Sequence, residues 1–456
     1  MENLLSLIQE NRPLLATIAG VAGVLFMIIG RRIPAFPALL VAALFTGLAA
    51  GLAPDAVIAS VQKGMGGVLG FIAVIVGLGA LLGAFLEAGG GAKAMALGIV
   101  EGKSSKFAVW AMGAVGILIA IPVFFDVGLI LLIPLVQALS KRTGKASLLF
   151  GLPLLAGLAT AHAFIPPTPG PIAVAEILGA DLGLVIVFGL LAGIPAVIIA
   201  GPLYALFAEK RGWLNEFSLN TEDKDTSEIE GFDKSLAWKA LATILIPLFL
   251  IVIAAFIGIA NLNETPIGQF IGFIGHPFVA LLIACGLATY LLRPQNEIEQ
   301  TRLKAALERA FEPTAVILLV TGAGGAFKQV LIDTGAGAAM ANAATSMGIA
   351  PIVAGFVLAA LVRVAQGSAT VAMLTAAGLV APIAMASGMT GYDLALMTIS
   401  IAAGASVLSH VNDSGFWLVS KYFDLSVSET LRTWTVASTL VGVVGFATAV
   451  ALSFIL

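Results

Sequence analysis

Charge is scarce in this chain. Only 11% of its 456 residues are Asp, Glu, Lys or Arg, against 59% hydrophobic. That ratio excludes an ordinary soluble domain and predicts a polytopic membrane protein, with lipid as the solvent for its outer faces. Cysteine is nearly absent. Cys285 stands alone, so no disulfide can form within the chain. No Walker or Rossmann glycine pattern sits in a soluble segment, and no spacing of His, Cys and carboxylates would hold a metal. The first absence excludes ATP hydrolysis, so any transport must run on an ion gradient. No metal or cofactor is expected. No nucleophile and base are suitably spaced, which argues against an enzyme. A net charge of −3 gives no reason to expect nucleic acid. Glu2 and Glu10, with no small-residue cleavage site, argue against a cleavable signal.

What is present is apolar runs, interrupted in informative places. A helical span needs about 20 apolar residues. Such runs are expected at Leu14–Gly30, Pro37–Leu52, Val68–Leu86, Ala146–Ala161, Leu184–Phe207, Leu236–Ile259, Pro277–Leu292, Pro313–Leu331 and Thr435–Leu456. The run Ser105–Leu139 is broken by Pro122 and Asp126, and Pro351–Ala386 by Arg363 to Thr370. Each reads as a re-entrant hairpin, at about 105–140 and 351–386. Residues 160–171, with four prolines, and the polar stretch Leu408–Trp417 forbid continuous helix. Unpaired polar groups in hydrocarbon cost several kcal/mol each, so these interruptions need protein, water or a ligand around them. They predict two broken helices, about 146–178 and 393–422.

The order of features repeats. Glu87-Ala-Gly-Gly-Gly is echoed by Asp333-Thr-Gly-Ala-Gly, and His162 and His410 each follow a Gly/Ala-rich run. The expected fold is all-α, with two repeats at 1–207 and 236–456 joined by a charged cytoplasmic linker at 208–235. Five crossings per repeat, one of them discontinuous, would invert the second relative to the first. With both termini outside the cell, all Lys and Arg except Arg12, Lys63, Lys328 and Arg363 fall on the inner side, as the positive-inside rule requires.

Ionisable residues at membrane depth are costly, so they are the first functional candidates. Asp126 could take up and release a proton, since desolvation disfavours a bare carboxylate. It could equally cap the following helix. His162, His410 and Asp413 are the other candidate proton carriers. Gln366, Gly367, Ser368 and Thr370 at one tip, Asn412 and Ser414 at the broken helix, and Thr160, Thr168 and Gly170 at the proline loop offer hydrogen bonds and helix N-termini to an anion. Arg363 could clamp a carboxylate or neutralise Asp413 or Asp126. Lys328 is read as a structural charge.

Four motifs point to a family. They are Phe-Ile-Pro-Pro-Thr-Pro-Gly-Pro (164–171), Gly-Ala-Gly-Gly-Ala-Phe-Lys-Gln-Val-Leu-Ile-Asp-Thr-Gly (322–335), Gly-Ser-Ala-Thr-Val-Ala (367–372) and Ser-His-Val-Asn-Asp-Ser-Gly-Phe-Trp (409–417). Together they closely resemble the signatures of the gluconate permease family of bacterial gluconate:proton symporters. That family lies within the ion-transporter superfamily. The resemblance implies import of gluconate or a related hydroxy-carboxylate with a proton, across the bacterial inner membrane. It also implies a dimerising scaffold and a transport domain that moves as an elevator. Asp126 stands where members often have Glu, and Thr168 where they often have His. The first change keeps a carboxylate with shorter reach; the second removes a candidate proton carrier. Sodium coupling, or specificity for glycerate or D-serine, are the nearest alternatives. A channel or intramembrane enzyme fits the two-fold plan less well.

Overall fold

The computed structural model describes residues 12–100, 104–214, 233–260, 262, 264–294, 296–335, 350–411 and 413–456. All regular structure among them is helical. The helices are α1 (Arg12–Leu25, prolonged by a π turn to Gly30), α2 (Ala35–Ala50), α3 (Pro54–Ala88), α4 (Gly91–Val100), α5 (Ser105–Ala120), α6 (Phe125–Thr143), α7 (Ser147–Phe164), α8 (Pro169–Leu178), α9 (Leu182–Ile198) and α10 (Tyr204–Lys210). They continue with α11 (Lys234–Ile259), α12 (Pro266–Ile274), α13 (Pro277–Leu291), α14 (Glu297–Arg309), α15 (Glu312–Asp333), α16 (Pro351–Gln366), α17 (Ala369–Ala386), α18 (Gly391–Gly404), α19 (Ser414–Tyr422), α20 (Val427–Thr430) and α21 (Val436–Ser453).

Seven helical stretches are long and apolar enough to cross a membrane, or eight if α12 and α13, bent by 61°, form one span. Ten full crossings were expected. The difference falls on helices such as α1, α2 and α18, which are apolar but only 14–16 residues long. The linker residues 215–232 lie outside the described residues.

Helix boundaries follow local chemistry. Ser104, Asp181, Asp233, Thr265, Asn296, Ser368 and Asp413 each cap a helix N-terminus by accepting a backbone N–H. Gly51, Gly144, Gly179 and Gly367 end helices in the left-handed conformation. The long run at 105–140 breaks at 121–124, and that at 351–386 at Gly367-Ser368.

The proline loop is shorter than expected. α7 runs on through Phe164, so Thr160 and His162 are helical and the break is confined to 165–168. Pro169 and Pro171 start α8, where a missing N–H costs nothing because first-turn N–H groups have no helical acceptor. In the polar stretch the chain is non-helical at 405–411 and at 413, and Ser414–Trp417 already belong to α19.

Glycines bring backbones together where these breaks are seated. On α3, Gly79 and Gly83 lie on one face. A Cβ on Gly79 would stand 3.2 Å from the Pro167 carbonyl of the proline break, and one on Gly83 2.4 Å from the Pro122 carbonyl at the first tip. One helix thus cradles both interruptions of the first half. Gly116 of α5 meets α7, and Gly404 of α18 meets α16, at similar range: a Cβ would lie 2.4 Å from the Leu154 carbonyl and 2.2 Å from the Phe356 carbonyl. Gly64 and Gly325 fix the crossing of α3 with α15 in the same way. With no hydrophobic force between helices in lipid, such close backbone packing is the main source of association.

Candidate functional site

Three helix N-termini converge on one cavity of about 290 Å³. Phe125 and Asp126 come from the first turn of α6, Ser368 to Val371 from the start of α17, and Asp413 to Gly415 from the start of α19. α7 adds His162, and α15 adds Val316, Ile317 and Val320. Trp434 and Ser438 close the wall from the last helical segment. The cavity is at the lower end of the usual range for small-molecule sites, ~300–1,000 Å³.

A buried ion pair organises its floor. The Arg363 guanidinium donates through Nη2 to Asp413 Oδ2 and through Nη1 to the Gly367 carbonyl. Side-chain exposure is only 5% and 11% for the two partners. Ser409 Oγ donates to the same carboxylate at 2.5 Å, and the Gly415 N–H at 3.0 Å. Trp434 Nε1 in turn donates to Ser409 Oγ at 2.7 Å. The chain Trp434–Ser409–Asp413–Arg363–Gly367 therefore ties the last helix, the polar break and the second tip into one unit. The first tip joins through Phe125, whose ring stacks on Trp434 with centroids 5.5 Å apart. The break that begins at 405 is further satisfied by Ser438 and Thr439, which accept from the Ser409 and Leu408 N–H groups at 3.3 and 3.1 Å.

Asp126 is placed differently. It lies one residue inside α6, whose cap position is Phe124 without any side-chain bond. The alternative role as an N-cap is therefore not realised. Its side chain borders the cavity, and among the described residues no hydrogen bond or ion pair engages it. His162 also borders the cavity, 6.0 Å from the Phe124 ring between centroids. Its Nδ1 is buried with no hydrogen-bond partner among the described residues.

Of the sequence candidates, the cavity gathers Asp126, His162, Arg363, Ser368, Thr370, Asp413 and Ser414. Asn412 lies outside the described residues. The others do not line it. Thr160 is buried against Gly193 of α9. Thr168 turns its hydroxyl back to the Ile165 carbonyl at 2.7 Å. Gly170 packs where a Cβ would stand 2.5 Å from Met373 Cε. Gln366 and Gly367 shape the tip, the glycine carbonyl being taken by Arg363. His410 Nε2 meets the Val364 carbonyl at 2.9 Å instead. Lys328 donates to the Ile177 carbonyl at 2.5 Å, at the C-terminal end of α8, a contact that suits its reading as a structural charge. Sequence reasoning missed Trp434, Phe125 and Ser406. The nearest signal was a cluster of Thr and Ser around Trp434 at the head of an apolar run.

Known proteins identify the family and the fold. The profile described as GntP family permease matches residues 12–455. A gluconate permease of Pseudomonas aeruginosa is 37% identical over 97% of this chain and 98% of its own length. A low-affinity gluconate transporter of Escherichia coli is 39% identical over 94% and 96%, and an L-idonate transporter of the same organism is 37% identical over 97% and 100%. The fold is that of the YdaH transporter of Alcanivorax borkumensis, with TM-score 0.67 at 16% identity, covering 92% of this chain and 98% of that one. It is also that of MtrF of Neisseria gonorrhoeae, with TM-score 0.65 at 16% identity, covering 92% and 94%. Family and fold together make this chain a multi-pass membrane protein that belongs to the GntP family of permeases.

Proposed function

We propose that this permease imports gluconate or a closely related sugar acid across the bacterial inner membrane, one proton accompanying each anion. The observation that carries the proposal is the unpaired carboxylate of Asp126 in a cavity whose one lining cation among the described residues, Arg363, is already bound to Asp413. An arriving carboxylate would face Asp126 with no free cation to offset it. Two like charges about 6 Å apart repel by about 3 kcal/mol at an effective dielectric constant of ~20. Helix N-termini contribute only about 0.3–1 kcal/mol each, and that of α19 is already occupied by Asp413. Repulsion wins, unless Asp126 carries a proton. The neutral acid can then donate to the substrate, and the free N–H groups of α6 and α17 can hold its carboxylate. Ser368, Thr370, Ser414 and His162 suit the hydroxyls.

Coupling follows from this electrostatics. Anion plus proton adds no charge to the cavity, so the loaded carrier resembles the empty one. A half-loaded carrier leaves a charge imbalance at membrane depth. In our reading the two halves, 1–207 and 236–456, are inverted repeats of five crossings and one re-entrant hairpin each, with both termini outside. The tips and broken helices travel as an elevator against a dimeric scaffold. Uptake of labelled gluconate into vesicles tests the proposal. An inward acid gradient should drive accumulation, with choline replacing sodium at no cost. Accumulation that ignores the pH gradient and follows sodium would refute it.

A further inference from the structure

A second cavity of about 650 Å³ lies on the other side of the first tip. Phe124 lines both cavities. On the tip, Pro122 and Val123 face the second cavity, whereas Phe125 and Asp126 face the first. Along α15 the same division recurs. Glu312 borders the second cavity, and Val316, one turn on, borders the first. The two spaces are thus consecutive along one helix and meet at Phe124, which lines both. The tip backbone is seated, since the Pro122 carbonyl would lie 2.4 Å from a Cβ on Gly83. The half-buried ring has two rotatable bonds and can move without it.

The wall opposite the tip is a face of α14. Arg302, Ala305, Ala306 and Arg309 border the cavity, a spacing of 0, 3, 4 and 7 that places them on one side of the helix. The alanines leave the space open, and the arginines flank it. Lys93 adds a third cation, against two carboxylates, Glu87 and Glu312. Glu87 is within electrostatic reach of Arg309. Among the described residues none of the five is in a direct ion pair. The balance is one positive charge, held on exposed side chains.

We propose that this cavity is an anion vestibule on the cytoplasmic side, in which Arg302 and Arg309 receive the sugar acid, and that the Phe124 ring is the gate between it and the central cavity. The inference rests on the central cavity being the substrate site. Its logic is a transfer between two environments of opposite character. The anion leaves a site that tolerates it only with a proton and meets guanidinium groups that hold it as a bare carboxylate. Release of the proton and of the anion toward the cytoplasm are thereby favoured together.

The test uses thiol modification and needs no transport. In full-length protein carrying Cys285→Ser, Ala305→Cys should react faster with an anionic methanethiosulfonate reagent than with a cationic one, by about tenfold. Adding Arg302→Gln and Arg309→Gln should abolish the preference. Both arginines are surface-exposed, so folding is not at risk. For the gate, Ser368→Cys in inside-out vesicles should be modified about tenfold faster when Phe124→Ala is added, and no faster with Phe124→Leu, which keeps most of the bulk. Equal rates for both reagents with the arginines intact would overturn the vestibule. An unchanged Ser368→Cys rate in Phe124→Ala would overturn the gate. Neither result depends on proton coupling, so each separates from failure of the transport reading.

Discussion

The two interruptions, at 165–168 and after Gly404, solve the same problem in opposite ways. The first contains Pro166 and Pro167, which have no N–H to leave unpaired. It is fully buried, and the Thr168 hydroxyl bonds only to the Ile165 carbonyl within it. The second keeps its N–H groups and carries a charge. It needs Ser438, Thr439, Trp434 and Arg363 as partners. A proline break is self-sufficient and packs away. A polar break has to be held from outside, and the groups that hold it are of the kind that can hold a ligand. The two tips differ in a complementary sense. The first contributes the unpaired Asp126; the second contributes hydroxyls from Ser368 and Thr370, with its cation, Arg363, already engaged.

That contrast can be broken experimentally. The largest functional effect should come from Asp126→Asn. With one proton per anion, a pH gradient of one unit supports about tenfold accumulation. The variant should show none, while exchange of labelled for unlabelled gluconate persists. Retention of the tenfold ratio would remove Asp126 from coupling.

Next comes the ion pair. Arg363→Gln or Asp413→Asn alone leaves a buried, uncompensated partner and should cost about 3–5 kcal/mol of stability. A double replacement by Met and Leu should recover most of that in thermal unfolding. If the double variant is as unstable as the sum of the singles, the pair does not act as a unit.

A smaller effect is expected where α3 cradles the first half. Gly83→Ala pushes against the Pro122 carbonyl and should destabilise by about 1–3 kcal/mol. Gly66→Ala on the same helix has nothing within 4 Å of the new methyl. It should be neutral or gain up to about 1 kcal/mol. Equal shifts in melting temperature would show that the tip is not seated as described.

The two histidines give the smallest and sharpest contrast. His162 lines the cavity and His410 does not. His410→Ala should cost about 0.5–1.5 kcal/mol from the lost bond to Val364 and leave the gluconate KM unchanged. His162→Ala should raise KM. A reversed pattern would move the site toward the polar break.

The places where the chain is interrupted were legible in the sequence, because a proline or a charge inside an apolar run breaks the helix ladder or demands a polar partner. The breaks at 121–124, 165–168 and 367–368 fall within the stretches so marked, and the last begins at 405, three residues before the polar stretch. What those residues do was less legible. Thr160, Thr168 and His410 sit beside breaks, and adjacency along the chain suggested that they share the site. Their side chains point elsewhere: Thr160 is helical, where rotation of about 100° per residue turns it away from His162, while Thr168 and His410 are turned to the Ile165 and Val364 carbonyls. Trp434 was overlooked for the converse reason. It is far from every motif in sequence and reaches the cavity only through packing. The partnership of Arg363 with Asp413 is one of three that the sequence allows, a substrate carboxylate and Asp126 being the others, and only three dimensions choose among them.

The central claim is that the anion binds only with a proton on Asp126. Isothermal calorimetry of gluconate binding to the purified permease, in buffers of differing ionisation enthalpy, measures that proton directly. The account predicts uptake of about one proton per gluconate at neutral pH, and none in Asp126→Asn. Gluconate binding without proton uptake in the unmodified protein would contradict it.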